Sequence, residues 1–124
     1  MSKKILIVED DSFIEELTAK KLEKAGYVVS AVQNGQDAIN KAKEEDFDLV
    51  VCDLVIPHID GFEVIKELRS MDKTKEVPIV VFSNLADGDA LDKATKAGAT
   101  KYLVKANFSL SDIVIEIENL IGKA

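Results

Sequence analysis

Four short apolar runs each lead into a residue type that can do chemistry. Ile5-Leu6-Ile7-Val8 runs into Glu9-Asp10-Asp11, Leu49-Val50-Val51-Cys52 into Asp53, Ile79-Val80-Val81-Phe82 into Ser83, and Tyr102-Leu103-Val104 into Lys105. If these runs are strands of one parallel sheet, carboxylates, a hydroxyl and an ammonium group converge on the edge where open α/β sheets bind ligands. Carboxylates about 4 Å apart repel by about 4 kcal/mol in an effective dielectric near 20, so the cluster calls for positive charge. Lys105 supplies one such charge. Oxygen ligands favour a hard cation as another, Mg²⁺ (or Mn²⁺) held by a few carboxylates. An aspartate between a metal and a lysine is suited to accept a phosphoryl group as a covalent nucleophile. The metal and lysine would stabilise charge on the transferring group, and the Ser83 hydroxyl could bond one of its oxygens.

Taken singly, most of these residues have an ordinary reading. Glu9-Asp10-Asp11 could be a solvated turn at a helix start, Ser83 a turn or capping residue, and Lys105 a solvated loop lysine. Asp53 differs, because it follows a buried run where an isolated charge is expensive. Their joint placement at successive strand ends favours a site. His58, the one histidine, reads as an exposed loop residue, and Cys52 as a small buried hydrophobe. Phe13, Phe47 and Phe82 are expected to be core or helix–sheet contacts.

Positioning such a site takes a particular set of elements. With Tyr27-Val28-Val29 and Val77-Pro78 extending the series, five β-branched runs alternate with amphipathic segments, which predicts five βα units. The first, third and fourth runs are almost continuously apolar, as in strands buried on both faces of a parallel sheet, so helices must cover both sides. Ser12 with Glu15, and Ser109 with Asp112, have the spacing of capping boxes. Asn34 and Asp87 are expected caps for the second and fourth helices, while Ala25-Gly26 and Ala97-Gly98 mark helix ends. In the last segment Ile113, Val114, Ile117, Leu120 and Ile121 form one stripe. Ile115 points away from it into water.

The 124 residues, 47% of them hydrophobic, suit one domain over 1–124. Sixteen basic against twenty-three acidic residues give −7, a field that repels nucleic acid and anionic lipid. With a single cysteine there is neither a disulfide nor a cysteine zinc site. Eighteen consecutive apolar residues never occur, and Met1-Ser2-Lys3-Lys4 leads straight into the first run, so a cytoplasmic protein is expected.

The segments Lys4–Asp11, Asp48–Pro57 with Asp60-Gly61, Pro78–Ser83 and Gly98–Lys105 together resemble the response-regulator receiver domains over essentially the whole chain. The resemblance implies a flavodoxin-like, doubly wound, five-stranded parallel sheet of order 2-1-3-4-5 with five helices on its two faces. It implies that Asp53 is the phosphoacceptor, that Asp10 ligates the metal directly, and that Glu9 acts through water. Val55 stands where a backbone carbonyl binds the metal. Ser83 matches the switch hydroxyl, Tyr102 the aromatic switch, and Lys105 the lysine that pairs with the phosphoryl group. Val55 and Leu85 occupy positions that flank the path of attacking water, where polar residues accompany faster loss of the phosphoryl group.

Some positions depart from the family pattern. Ala106 follows Lys105 where proline in a cis peptide is usual, so a trans bond is expected here. Asn84 replaces a small residue, and Ile56 a methionine. The partners implied are a histidine kinase or phosphotransfer protein and a downstream effector protein, with Ile115 and Tyr102 as the expected contact surface. The chain is expected to be a monomer or a phosphorylation-dependent dimer, and not itself an enzyme. A metal-dependent phosphohydrolase with an aspartyl-phosphate intermediate is the alternative. A flavin module is disfavoured, because Glu9-Asp10-Asp11 would repel the cofactor's phosphate.

Overall fold

The computed structural model describes residues 2–124. Strand β1 (Lys4–Val8) leads to helix α1 (Ser12–Lys24), β2 (Val28–Val32) to α2 (Gly35–Glu44), and β3 (Leu49–Cys52) to α3 (Gly61–Ser70). β4 (Ile79–Ser83) leads to α4 (Gly88–Ala97), and β5 (Lys101–Val104) passes through a 3-10 turn at Lys105–Asn107 into α5 (Leu110–Ile121). The strands form one parallel sheet in the order β2-β1-β3-β4-β5.

The alternation of side chains across each strand divides the core in two. Leu6, Val8, Val50, Cys52, Ile79 and Val81 face Ala38, Ala42, Val64, Ile65, Leu68, Ala94 and Ala97, which places α2, α3 and α4 on one side. Ile5, Ile7, Leu49, Val51, Val80 and Phe82 face Leu22, Ile113 and Ile117, with α1 and α5 on the other. β3 and β4 are buried along their whole length, as their unbroken apolar runs require.

The expected caps at Asn34 and Asp87 form, as does the Ser109–Asp112 capping box. The Ser12–Glu15 box does not. Asp11 caps α1 instead, its carboxylate accepting from the N–H groups of Phe13 and Ile14 at 3.0 and 3.2 Å. A full negative charge one residue earlier serves the helix dipole better than a hydroxyl. Glu15 accepts from the Gln33 amide at 2.8 Å.

Phe13 is a second correction. It is 63% exposed, because α1 turns Thr18 and Leu22 inward and Phe13 lies off that face. Phe47 and Phe82 are buried as expected. Every peptide bond among the described residues is trans, Lys105-Ala106 included.

Gly88, the first residue of α4, has open space where a Cβ would stand. Gly88→Ala should therefore stabilise the fold by about 0.5 kcal/mol, since alanine loses less backbone entropy in a helix. A urea titration reads this as a higher midpoint with an unchanged slope.

Candidate functional site

The sheet register assembles the site. Val8 pairs with Cys52 and Ser83 with Val104, so Glu9 and Asp53 emerge side by side, as do Ser83 and Lys105. The Asp53 N–H donates to the Val8 carbonyl at 3.0 Å, extending the ladder one residue past the strand. Glu9, Asp53, Ser83 and Lys105 line one cavity of about 540 Å³ together with Asp10, Asp11, Ile14, Val55, Asn84 and Leu85.

Lys105 joins the two buried acids of this cavity. Its Nζ lies 2.5 Å from Glu9 Oε1 and 2.8 Å from Asp53 Oδ2. Glu9 and Asp53 are only 4% and 7% exposed, so their two charges share one largely desolvated ammonium group. The other Asp53 oxygen, Oδ1, accepts from the backbone N–H groups of Leu54 at 2.7 Å and Val55 at 3.3 Å. These two backbone donors carry no side-chain signature in the sequence, and they set the orientation of the carboxylate.

The electrostatics differ between the two acids. Burial pushes the Glu9 carboxyl above its ordinary value, and neighbouring Asp53 adds to this, while Lys105 works against it. Burial also opposes ionisation of Asp53, but the hydrogen bond and charge of Lys105, the nearby Ser83 hydroxyl and the Val55 N–H outweigh it and hold this carboxyl low. Burial works to lower the Lys105 ammonium, and its bonds to Asp53 and Glu9 overcome that and raise it. Asp53 is thus an ionised carboxylate near neutral pH, as a nucleophile must be.

One carboxylate oxygen each from Glu9, Asp10 and Asp53 lie within 4.8 Å of one another. Exposed Asp10 leaves the cluster open to solvent, and the all-oxygen donor set fits a hard divalent cation. Val55 lines the same cavity. Asp11, third in the acidic run, is committed to capping α1.

The switch candidates connect through Leu85. Its N–H donates to Ser83 Oγ at 3.4 Å, and its carbonyl accepts from the Tyr102 hydroxyl at 2.5 Å. Tyr102 is half-buried. Ile115 is 54% exposed, as its position off the stripe requires. Ile115 lines a depression with Lys21, Lys24 and Val114 between α1 and α5, whereas Tyr102 lines another with Leu91, Thr95 and Ala99 at α4 and β5. The two expected contact residues thus border different depressions, one beside α1 and one beside α4.

His58 lies exposed in the loop between β3 and α3, with φ of 69°. Cys52 is fully buried beside Asp53, and burial pushes its thiol far up. Iodoacetamide should leave the folded protein unmodified at neutral pH and alkylate Cys52 only after unfolding. Intact mass in the presence and absence of urea checks this.

A parallel α/β sheet with a lysine between two buried acids at its carboxyl edge defines a receiver-type phosphorylation switch. The chain belongs to the response-regulator receiver domain family, whose family model matches residues 5–118. It is 32% identical over 114 residues to the transcriptional regulatory protein HprR of Escherichia coli, covering 92% of this chain and 49% of that protein. It is also 32% identical over 121 residues to ResD of Bacillus subtilis, covering 98% of this chain and 49% of the relative. The chain therefore spans about half the length of the curated relatives it matches.

Among solved structures, the chemotaxis protein CheY4 of Vibrio cholerae superposes with a TM-score of 0.90 at 28% identity, covering 96% of this chain and 98% of that one. The receiver domain of the sensor histidine kinase PA1611 of Pseudomonas aeruginosa, with a magnesium ion coordinated in its active-site cleft, gives 0.90 at 26% identity over 99% and 100% of the two chains. Phosphorelay signalling is accordingly the function class, and the similarities do not support the phosphohydrolase alternative. No helix among the described residues is long and apolar enough to cross a membrane.

Proposed function

We propose that the chain accepts a phosphoryl group on Asp53 from a histidine kinase or phosphotransfer protein, in the cytoplasm, and signals to a downstream effector protein. Mg²⁺ (or Mn²⁺) would be held by Asp10, Asp53, the backbone carbonyl of Val55 and, through water, Glu9. The observation that carries this reading is the Lys105 ammonium bound to both Glu9 and Asp53 at the open edge of the acidic cluster.

In the transfer step an Asp53 oxygen attacks the phosphorus of a phosphohistidine. A P–O bond forms, the P–N bond breaks, and the donor imidazole keeps the electron pair. The Leu54 and Val55 N–H groups hold the carboxylate in place for this attack. Lys105 then moves from carboxylate to phosphoryl oxygen, and the Ser83 hydroxyl donates to another. A divalent cation held by these residues would neutralise charge on the transferring group. When Ser83 turns to the phosphoryl group, the Leu85 N–H loses its acceptor, and the change reaches Tyr102 through the Leu85 carbonyl.

Incubation with Mg²⁺ and acetyl phosphate, followed by intact mass, tests the reading. Wild type should gain one phosphoryl group and Asp53→Asn none. Equal incorporation by the variant would place the acceptor elsewhere.

A further inference from the structure

Gly35 opens α2 hard against the loop between β3 and α3. A Cβ there would lie 2.1 Å from the Ile59 carbonyl oxygen and 2.9 Å from the Ile59 Cβ. The Gly35 N–H also donates to the Pro57 carbonyl at 3.3 Å. At its base the loop is closed by Gly61, whose N–H donates to the Leu54 carbonyl at 2.9 Å and whose added Cβ would stand 2.3 Å from the Asp53 carbonyl oxygen. Residues 54–60 are thus gripped at base and tip, with Val55 between them facing the cavity of Asp53.

The tip does not hold its shape by local preference. His58 adopts φ of 69°, a left-handed conformation that costs a residue with a side chain and persists where surroundings impose it. Nor does α2 need glycine in order to begin. Gly88 occupies the same place at the start of α4, after a capping aspartate, and has nothing within 4 Å of a Cβ. What separates the two positions is the loop lying on Gly35.

We propose that Gly35 is a positioning residue for the phosphorylation site: its bare α-carbon is the seat for the tip of the β3–α3 loop and thereby fixes the Val55 backbone beside Asp53. This rests on the reading of Asp10, Asp53 and Val55 as the metal and phosphoryl site. An added methyl group has backbone on its far side and cannot be absorbed by a side-chain rotation, so the loop must lift. The displacement travels along Pro57 and Ile56 to Val55, the first loop residue beyond the Gly61–Leu54 hydrogen bond that closes the base.

Gly35→Ala and Gly88→Ala make the same chemical change with and without a loop above it. Mg²⁺ affinity, read from the backbone amide signals of the cavity residues, should fall about tenfold in Gly35→Ala, within the range for residues that orient metal ligands. The Val55 amide should shift while β2 signals stay in place. Gly88→Ala should bind Mg²⁺ like wild type. An unchanged Mg²⁺ dissociation constant in a folded Gly35→Ala overturns the proposal. If Gly35→Ala does not fold, Ile59→Ala decides, because it trims the tip from the loop's own side: weaker Mg²⁺ binding with a shifted Val55 amide supports the seat, and wild-type affinity overturns it. Failure of wild type itself to bind Mg²⁺ would count against the underlying site reading, not against the seat alone.

Discussion

Lys105→Met should destabilise the metal-free protein by about 3–5 kcal/mol at neutral pH, the scale on which removing one partner leaves a buried charge uncompensated. Methionine keeps most of the side-chain length but leaves Glu9 and Asp53 facing each other without the ammonium that now contacts both. The sign with pH follows from the shifts. The raised Lys105 group contributes stability that is fully present below the ordinary lysine value and is lost as pH rises through its own. The lowered Asp53 group contributes stability present above the ordinary aspartate value and lost as pH falls through its depressed one. Without Lys105, burial and mutual repulsion push both acids up, opposed only by the Ser83 hydroxyl and Val55 N–H on Asp53 and the Asp11 N–H on Glu9. The variant's deficit should therefore be largest near neutrality and shrink toward about pH 4, as the carboxyl groups take up protons.

Mg²⁺ offers an independent check on the same pair. A cation bound at a hundred times its dissociation constant adds about 2.7 kcal/mol, enough to restore most of the loss. Urea unfolding of both proteins, with and without Mg²⁺, measures all of this. A variant as stable as wild type without metal would show that the two ion pairs contribute nothing net. Phosphorylation by acetyl phosphate should also slow by about a hundredfold, the usual cost of deleting one preorganised donor to developing charge.

The elements that put Lys105 there were readable because their signals are local. Continuous apolar runs ending in Asp53 and Ser83 describe strands buried on two faces, and the register of a parallel sheet then aligns their ends without further information. The Ser109–Asp112 box and the Asn34 cap depend on residues three apart in the chain. Signals failed where a neighbour competed or a partner was distant. Asp11 outcompeted Ser12 for the same cap, and Phe13 lies on the face of α1 opposite Thr18 and Leu22. The depressions that Tyr102 and Ile115 border depend on what α4 and α1 leave open, which no local spacing records.

Other contributors are invisible in sequence because they are backbone groups or bare α-carbons meeting distant chain. The Leu54 and Val55 N–H groups on Asp53 are of this kind, as is Gly61 against the Asp53 carbonyl. Arg69 is another. Its guanidinium donates to the carbonyls of Thr74, Lys75 and Val77 between α3 and β4 and to that of Gly98 before β5, tying both connections to the end of α3, and nothing in the spacing of those residues announces it.

The phosphoryl group on Asp53 should be long-lived, since its hydrolysis needs a water held for in-line attack and the side chains flanking the acceptor offer little to hold one. Val55 is 63% exposed and Leu85 is half-buried, both lining the Asp53 cavity, and neither side chain can accept or donate a hydrogen bond. The Leu85 carbonyl is engaged with Tyr102, and the Leu85 N–H, released when Ser83 turns to the phosphoryl group, can donate to a water but cannot accept its proton. Asn84 lines the cavity as well, and its amide is the side chain through which a water could still be steered. Positioning a reactant is worth orders of magnitude in rate, and losing one oriented contact typically costs one to a few kcal/mol, so loss of phosphate should be on the order of tenfold slower than with a polar pair. Val55→Asn combined with Leu85→Glu should accelerate it accordingly, because both substitutions add acceptors at the mouth of the site while leaving the backbone ligands in place. Decay of the phosphorylated protein after removal of acetyl phosphate, followed by intact mass, gives the rate directly. If Asn84 already supplies the water, Asn84→Ala will slow wild type and the double variant will gain little; equal rates in all three proteins would mean that loop motion, not water orientation, sets the lifetime.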